Sequence, residues 1–359
     1  MNKKMNEKFG IDSSKGMEIG LYSLGDHVKN PMTGNIISEQ QRINDIIEAA
    51  KFADEAGIDV FGVGESHQRY FVGQANQMIL SAIATQTKNI KLTSSVSVLS
   101  TNDPVRVYEE YATLDLISNG RAEVVAGRGS RVGVYELLGF DLKDYEELFE
   151  EKMHLLKLLN EAAPNERMNW EGAFRAPLQN AEILPQPVRG HLPVWRAVGG
   201  PADSAIKAGL DGIPMMLTTL AGPAPIFKRA VDAYRLSLTE AGYDEKEFPL
   251  ATTSLFYVAE TGSQARKEMY PFLNAGWSAI RGGTYPKQHF AQSADSRDTL
   301  MVGGVNEIIE KMLYQYELYG HQRFMAQIDF GGVPLDLVKK NIELIATKVM
   351  PEVKKYTKE

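Results

Sequence analysis

The sequence predicts an α/β protein, a (β/α)8 TIM barrel with insertions. Eight apolar runs of strand length alternate with helical patterns along nearly the whole chain, as expected for βα units on a parallel sheet. The 359 residues, of which 43% are hydrophobic, are enough for one barrel of this kind. An open doubly wound sheet has a similar order of strands and helices and is the alternative at this point.

Each strand is predicted from one apolar run. The runs are Glu18–Ser23, 59–65 ("DVFGVGE"), Ile90–Leu99, Glu123–Ala126, Pro193–Val198, Gly212–Leu217, Ala251–Val258 and Arg323–Ile328. Ser38 and Gln41 have the spacing of a capping box and predict the start of the first helix, which Gly57 ends. Pro104 is typical of a first helical turn and predicts a helix to Ser118.

Residues 17–359 are predicted to form a single domain after a flexible N-terminal extension, residues 1–16. The extension is basic and polar and lacks the apolar segment of a signal peptide. Two stretches, at about 161–191 and 271–303, are too long for ordinary connections. We interpret both as insertions over an active site, and the glycines of the second suit a mobile cover.

Composition excludes several classes of function. The formal net charge of −7, without a basic block, gives no footprint for nucleic acid or an anionic membrane. The chain has no cysteine, and its six histidines show no HExxH spacing, so we predict no metal site. No run approaches the roughly 20 apolar residues of a membrane span. We expect a cytoplasmic protein that acts on a small molecule.

Barrel enzymes carry their chemistry at the carboxyl ends of the strands. The residues at these positions are Glu65, Ser66, His67, Ser100–Asp103, Arg128, Gly129, Ser130, Gly199 and Gly200. The stretch "VGGPADSAIKAG" then places Ser204 where a helix begins, and helix N-termini bind anions. Arg128 could add a bidentate contact, and its flanking glycines would let a flat ligand approach the backbone. These residues indicate a phosphate-bearing ligand; a plain tight turn and an arginine paired with a carboxylate are the alternatives.

A competing motif lies within the same stretch. Gly127, Gly129 and Gly133 match a GxGxxxG pattern after an apolar run, which in a dinucleotide-binding fold would hold a pyrophosphate. In a dinucleotide-binding fold, a long helix begins directly at this motif. Here Gly139 interrupts the pattern before the helix predicted from Tyr145, which disfavours this interpretation.

Four stretches carry a family resemblance: "VFGVGESHQ", "SSVSVLSTNDPVRVYEEYATLDLISNGRAEVVAGRGS", "PVWRAVGGPADS" and "MAQIDFGGVP". In this order they resemble the bacterial luciferase-like flavin-dependent monooxygenases and oxidoreductases, from about Met17 to Pro351. The resemblance implies a barrel that binds FMN at its C-terminal mouth, usually as a homodimer. It also implies that a separate reductase supplies reduced FMN, which is used with oxygen on a small organic substrate. Part of the family uses the deazaflavin F420, so an F420-dependent oxidoreductase is an alternative.

The resemblance also implies residue roles. The cofactor-binding set that it gives is Ser95, Val96, Arg128, Gly129, Gly199, Gly200, Pro201 and Ser204. In this set, Arg128 and Ser204 would hold the phosphate, and the peptide between Ser95 and Val96 matches a non-proline cis bond that lies against the flavin ring. The catalytic set is Glu65, Ser66 and His67, which fall in a Glu-His-His stretch of the family.

Three positions depart from the family pattern. Ser66 replaces the first histidine of the Glu-His-His stretch, Pro201 replaces a common threonine, and Gly133 replaces a common glutamate. A serine is a poor acid or base near neutral pH, so His67 is the better proton carrier. Because of these three losses, a flavin-binding protein without catalysis is the second alternative.

Overall fold

The computed structural model describes residues 8–129 and 133–359. The strands of these ranges, in chain order, are β1 Glu18–Ser23, β2 Val60–Val63, β3 Lys91–Ser94, β4 Ser97–Val98, β5 Ala122–Gly127, β6 Met168–Trp170, β7 Leu178–Ala181, β8 Val194–Val198, β9 Met215–Thr218, β10 Leu250–Ala259, β11 Met301–Gly304 and β12 Arg323–Gln327. Parallel pairing runs β1–β2–β3–β5–β8–β9–β10–β12, and β12 pairs with β1. The sheet is therefore a closed barrel of eight strands, and the open-sheet alternative is wrong.

Helices follow the strands around the outside of the barrel. They are α1 Glu39–Glu55, α2 Asn76–Gln86, α3 Pro104–Ser118, α4 Gly133–Leu138, α5 Tyr145–Glu161, α6 Ala202–Leu210, α7 Ala224–Glu240, α8 Gly262–Arg281, α9 Lys287–Ala291, α10 Val305–Tyr319, α11 Leu335–Leu344 and α12 Met350–Tyr356. The Ser38 side chain accepts a hydrogen bond from the Gln41 backbone, which confirms the predicted start of α1. Pro104 occupies the first turn of α3, also as predicted.

Four charged side chains fill the N-terminal end of the barrel. Arg323, fully buried at the start of β12, donates from Nε to Glu18 at 2.8 Å and from both terminal nitrogens to Glu123. Lys91 pairs with the other oxygen of Glu18. Burial opposes these charges, but the two carboxylates raise the pKa of Arg323 and the two cations lower the pKa of Glu18. Mutual pairing thus allows charged groups to occupy a barrel interior.

The N-terminal segment closes this end of the barrel. Phe9 and Ile11 are only 2% and 1% exposed, and the Phe9 ring lies 5.9 Å from that of Trp195, between ring centroids. The prediction of a flexible extension is therefore wrong for residues 8–16, because these two apolar side chains pack beneath the strands. The rest of the predicted extension, residues 1–7, lies outside the described residues.

The two long excursions have structure of their own. Within residues 161–191, β6 and β7 form an antiparallel hairpin. Residues 271–281 are the last turns of α8, and the stretch that follows packs back on this helix. Trp277 meets Tyr285 edge to face at 5.0 Å, and Tyr270 donates to the Tyr285 carbonyl. Within the described ranges, no helix is long and apolar enough to span a bilayer.

Candidate active site

A cis peptide bond between Ser95 and Val96 interrupts the third barrel strand at the C-terminal mouth. Glycines surround it. A β-carbon at Gly62 or Gly64 would collide with Ser95, and one at Gly127 would lie 2.6 Å from Val96 Cγ2. The sequence places glycine on both neighbouring strands, β2 and β5, because this segment fills the space that a side chain would need.

The glycines beside Arg128 make room for side chains of the chain itself. A β-carbon at Gly129, whose φ is +77°, would lie 2.8 Å from Val98 Cγ1. Gly127 and Gly129 therefore accommodate the chain's own Val96 and Val98, and the expectation that they also admit a flat ligand stays a prediction. The adjoining Ser130 of the "GRGS" stretch lies outside the described residues.

Glu65 joins the second strand end to the segment around the cis bond. One carboxylate oxygen is 2.7 Å from His67 Nε2, and the other accepts the Val98 N–H at 2.8 Å. The side-chain amide of Asn102 donates to both oxygens, at 3.1 and 3.0 Å. The Glu65 side chain is 3% exposed and that of His67 is 14% exposed. Glu65 thus fixes the imidazole against the Ser95–Val98 segment, while Ser66 between them is buried.

Gly199 and Gly200 form an open cradle at the start of α6. A β-carbon at either glycine would meet no atom within 4 Å, and Gly200 has a φ of +122° that favours glycine. Pro201 caps α6, and no side chain hydrogen-bonds to this helix end as a cap. The first-turn N–H groups and the positive end of the helix dipole therefore face the cradle, an arrangement suited to an anion.

Arg128 lies at the same mouth and pairs with a carboxylate. Its terminal nitrogen Nη1 is 2.7 Å from both oxygens of Glu146 on α5. The guanidinium also lies over the rings of Tyr145 and Phe149, 5.5 and 5.8 Å from their centroids. In the sequence analysis, a pair with a neighbouring carboxylate was the alternative to a phosphate contact. Arg128 makes such a pair in this structure, which contains no ligand.

A second ion network lies behind Arg128, and sequence reasoning missed it. Arg196, fully buried in the middle of β8, makes a bidentate contact with Glu150 at 2.9 and 2.6 Å and lies 3.4 Å from Ser204 Oγ. Lys207 on α6 reaches Glu150 at 3.1 Å. Burial opposes the ionisation of Glu150, but Arg196 and Lys207 hold its pKa below the usual value.

Two signals in the sequence could have revealed this network. Glu146 and Glu150 are four residues apart, on one face of a helix, and Ser204 and Lys207 are three apart on another. Arg196 interrupts an apolar strand, and a charge in that position needs a partner. Among the described residues, no three His, Asp or Glu side chains are grouped as metal ligands would be.

The mouth residues fit a planar cofactor with a phosphate. The open cradle at Gly199 and Gly200 has room for an anionic group beside a helix N-terminus, with Ser204 in the first turn of that helix. Arg128 is 17% exposed, so its guanidinium can be reached from the mouth. The segment at Ser95 and Val96, with its cis bond, leads into β4, which pairs with β5 on the side opposite to β8.

The fold defines a TIM-barrel protein whose C-terminal mouth carries the predicted site residues. The family model described as "Luciferase-like monooxygenase" matches residues 17–322, most of the chain. The chain therefore belongs to the luciferase-like monooxygenase family, which confirms the family resemblance found in the sequence.

Relatives of known activity include several monooxygenases. The oxygenase component of the flavin-dependent trigonelline monooxygenase of Acinetobacter baylyi is 23% identical over 343 residues, 88% of this chain and 91% of the relative. A solved structure of the oxygenating constituent of 3,6-diketocamphane monooxygenase from Pseudomonas putida, in complex with FMN, has a TM-score of 0.76 at 18% identity, covering 94% and 99% of the two chains. An F420-dependent secondary alcohol dehydrogenase with an F420-acetone adduct has a TM-score of 0.70 at 17% identity, with the same coverage. These two structures show the barrel fold.

Proposed function

We propose that this protein is an FMN-dependent monooxygenase that uses reduced flavin and oxygen to oxidise a small organic molecule. One observation carries the proposal. A single barrel mouth brings together the arginine Arg128, the glycine cradle before α6, the cis bond after Ser95 and the Glu65–His67 pair. Arg128 would supply a charge for a phosphate, and the glycine cradle would supply space for it. The segment with the cis bond would support a ring, and the Glu65–His67 pair would carry a proton.

Binding is the main task of the chain in this proposal. Arg128, Ser204 and the N–H groups at the start of α6 hold the phosphate, and the Ser95–Val96 segment supports the ring system. Bound reduced FMN supplies the electrons for oxygen chemistry. The surrounding barrel mouth orients the substrate and limits access of water.

His67 is the proton carrier in this arrangement. Because the Glu65 carboxylate only accepts hydrogen bonds, the imidazole carries hydrogen on Nε2, the nitrogen that faces Glu65. The Nδ1 atom is then the position at which a proton is taken up or given to the ligand. Glu65 acts as a positioning residue, since it ties the same imidazole to the Val98 N–H.

The names of two relatives support our proposal that FMN is supplied by a separate reductase. The trigonelline enzyme is named as an oxygenase component, and the diketocamphane protein as an oxygenating constituent that was solved with FMN. Both names describe one part of a larger system. We extend this to the present chain and propose that a flavin reductase supplies its reduced FMN. A deazaflavin, the cofactor of the alcohol dehydrogenase neighbour, is the competing outcome.

We also propose that the protein acts as a homodimer. The adjacent helices α2 and α3 expose the apolar side chains Met78, Leu116 and Ile117, which are 67%, 48% and 47% exposed. Contact of these two helices with a second copy would remove the three side chains from water. Light scattering of the wild type and of Leu116→Lys tests this: a dimer that becomes a monomer supports it, and a monomeric wild type contradicts it.

Anaerobic titration tests the proposed activity. Reduced FMN, oxidised FMN and F420 are titrated separately into the purified protein, and the complex with reduced FMN is then mixed with oxygen. We expect saturable binding of reduced FMN and a reoxidation rate that differs from that of free reduced FMN. Preference for F420 would replace the cofactor assignment. Binding of FMN with reoxidation identical to that in solution would favour a flavin-binding protein without catalysis.

A further inference from the structure

We infer that Glu146 sets the affinity of the site for the flavin phosphate by competing with it for Arg128; this inference rests on the proposed function. Both oxygens of Glu146 lie 2.7 Å from the same guanidinium nitrogen. A phosphate needs the charge and the N–H groups on that guanidinium. The chain therefore carries its own anion at the arginine that the cofactor would use.

The charge balance around the cradle supports this competition. Three cations and three carboxylates meet there: Arg128, Arg196 and Lys207 with Glu146, Glu150 and Asp211. With all six charged, the cluster is neutral. A carboxylate that stays beside Arg128 repels a phosphate that enters, and this repulsion ends when the carboxylate moves away.

Glu146 is the carboxylate that pairs with Arg128, and it is free to leave. Its side chain is 50% exposed, so it can turn into water and keep its hydration. Glu150 is 28% exposed and pairs with Arg196, which is fully buried. Loss of Glu150 would leave the Arg196 cation without a counter-charge in the barrel wall, which would strongly destabilise the fold.

Arg128 remains in place when Glu146 turns away. Its guanidinium stacks on Tyr145 and Phe149, and these contacts do not depend on Glu146. The exchange of partners therefore leaves no buried charge without a partner. Its consequence is a phosphate site of moderate affinity, which suits a flavin that arrives from another protein and leaves after each cycle.

Comparison of FMN with riboflavin, which lacks the phosphate, tests this inference. The dissociation constants of both flavins, in oxidised form, are measured by calorimetry for the wild type, for Glu146→Gln and for the control Glu147→Gln. Glu147 is an exposed neighbour on the same helix. We expect Glu146→Gln to bind FMN roughly two- to fivefold more tightly, the value of one partly exposed ion pair, and riboflavin as the wild type does. The control should match the wild type for both flavins.

The double variant Arg128→Met, Glu146→Gln completes the test. If the two residues act through each other, adding Glu146→Gln to Arg128→Met should leave FMN affinity unchanged. Wild-type binding of FMN with no gain in Glu146→Gln, or with a gain that riboflavin shares, overturns the inference and leaves the proposed function intact. Absence of FMN binding in every variant overturns both.

Discussion

Glu65 holds His67 and the backbone of the third strand at once: its oxygens lie 2.7 Å from His67 Nε2 and 2.8 Å from the Val98 nitrogen. Replacement by alanine would leave the buried Val98 N–H without an acceptor. We expect Glu65→Ala to lower the free energy of unfolding by about 1–3 kcal/mol, the cost of one buried unsatisfied donor. Amide exchange at Val98 should become faster.

His67→Asn is the matched control for this change. It removes the imidazole but leaves Glu65 bonded to Val98, so exchange at Val98 should stay slow. Denaturant unfolding and exchange measured by mass spectrometry report both quantities. Equal protection of Val98 in wild type and Glu65→Ala would show that this carboxylate does not organise the segment.

Arg128 should distinguish flavins with and without a phosphate. Loss of one charge-assisted contact is worth about 1.5–3 kcal/mol, so we expect Arg128→Met to weaken FMN binding by roughly tenfold or more. Riboflavin binding should not change. Arg106→Met, at an arginine of α3 that is 67% exposed, serves as the control. Equal losses for FMN and riboflavin would place the phosphate elsewhere.

Lys152 should make stability depend on pH. It is buried, donates to the Ser100 carbonyl below the mouth, and burial lowers its pKa to about 8. Between this value and the usual lysine pKa, the unfolded chain keeps a proton that the folded chain has lost. The free energy of unfolding should therefore rise with pH through this window, by no more than about 3 kcal/mol.

Lys152→Met isolates this effect. Urea unfolding of both proteins at about pH 7.5 and about pH 9.5 should show a smaller rise in the variant. Lys311, whose pKa burial also lowers to about 8, contributes equally to both proteins and cancels in the difference. An identical rise in wild type and variant would mean that Lys152 keeps its ordinary pKa.

Phe9 should contribute to stability although it lies in a polar N-terminal segment. Its ring is 2% exposed and packs near Trp195 at the closed end of the barrel. We expect Phe9→Ala to lower the free energy of unfolding by about 3 kcal/mol, the cost of a cavity left by a buried ring. The neighbouring Lys8→Ala should have little effect. Thermal or urea unfolding of the two variants provides the comparison, and equal stabilities would mean that the segment does not close the barrel.

The sequence predicted the barrel well because each strand is a separate apolar run, and because Ser38 and Pro104 mark the starts of two of the helices between them. It failed at the N-terminus, where two apolar residues, Phe9 and Ile11, are too few to form a periodic pattern. It also missed one requirement for Gly127 and Gly129, since the side chains that need them to be glycine, Val96 and Val98, are brought there only by the closed sheet.

In the candidate site too, the sequence predicted some residues and missed their contacts. The family stretches pointed to Arg128, Ser204 and the Glu65–His67 pair, and the structure places them at one mouth. The carboxylate that pairs with Arg128 was not assigned, although Glu146 and Glu150 have helical spacing, because the position of their helix relative to β8 is set by packing. Local sequence identifies the strand ends, and the fold decides which charges meet there.

A crystal structure of the protein with FMN tests the central claim most directly. We expect the phosphate within hydrogen-bond distance of Arg128 and Ser204, the ring against the Ser95–Val96 peptide, and Glu146 turned away from the guanidinium. FMN bound outside the mouth, or a mouth that stays empty at saturating FMN while Arg128 keeps its pair with Glu146, would contradict the account.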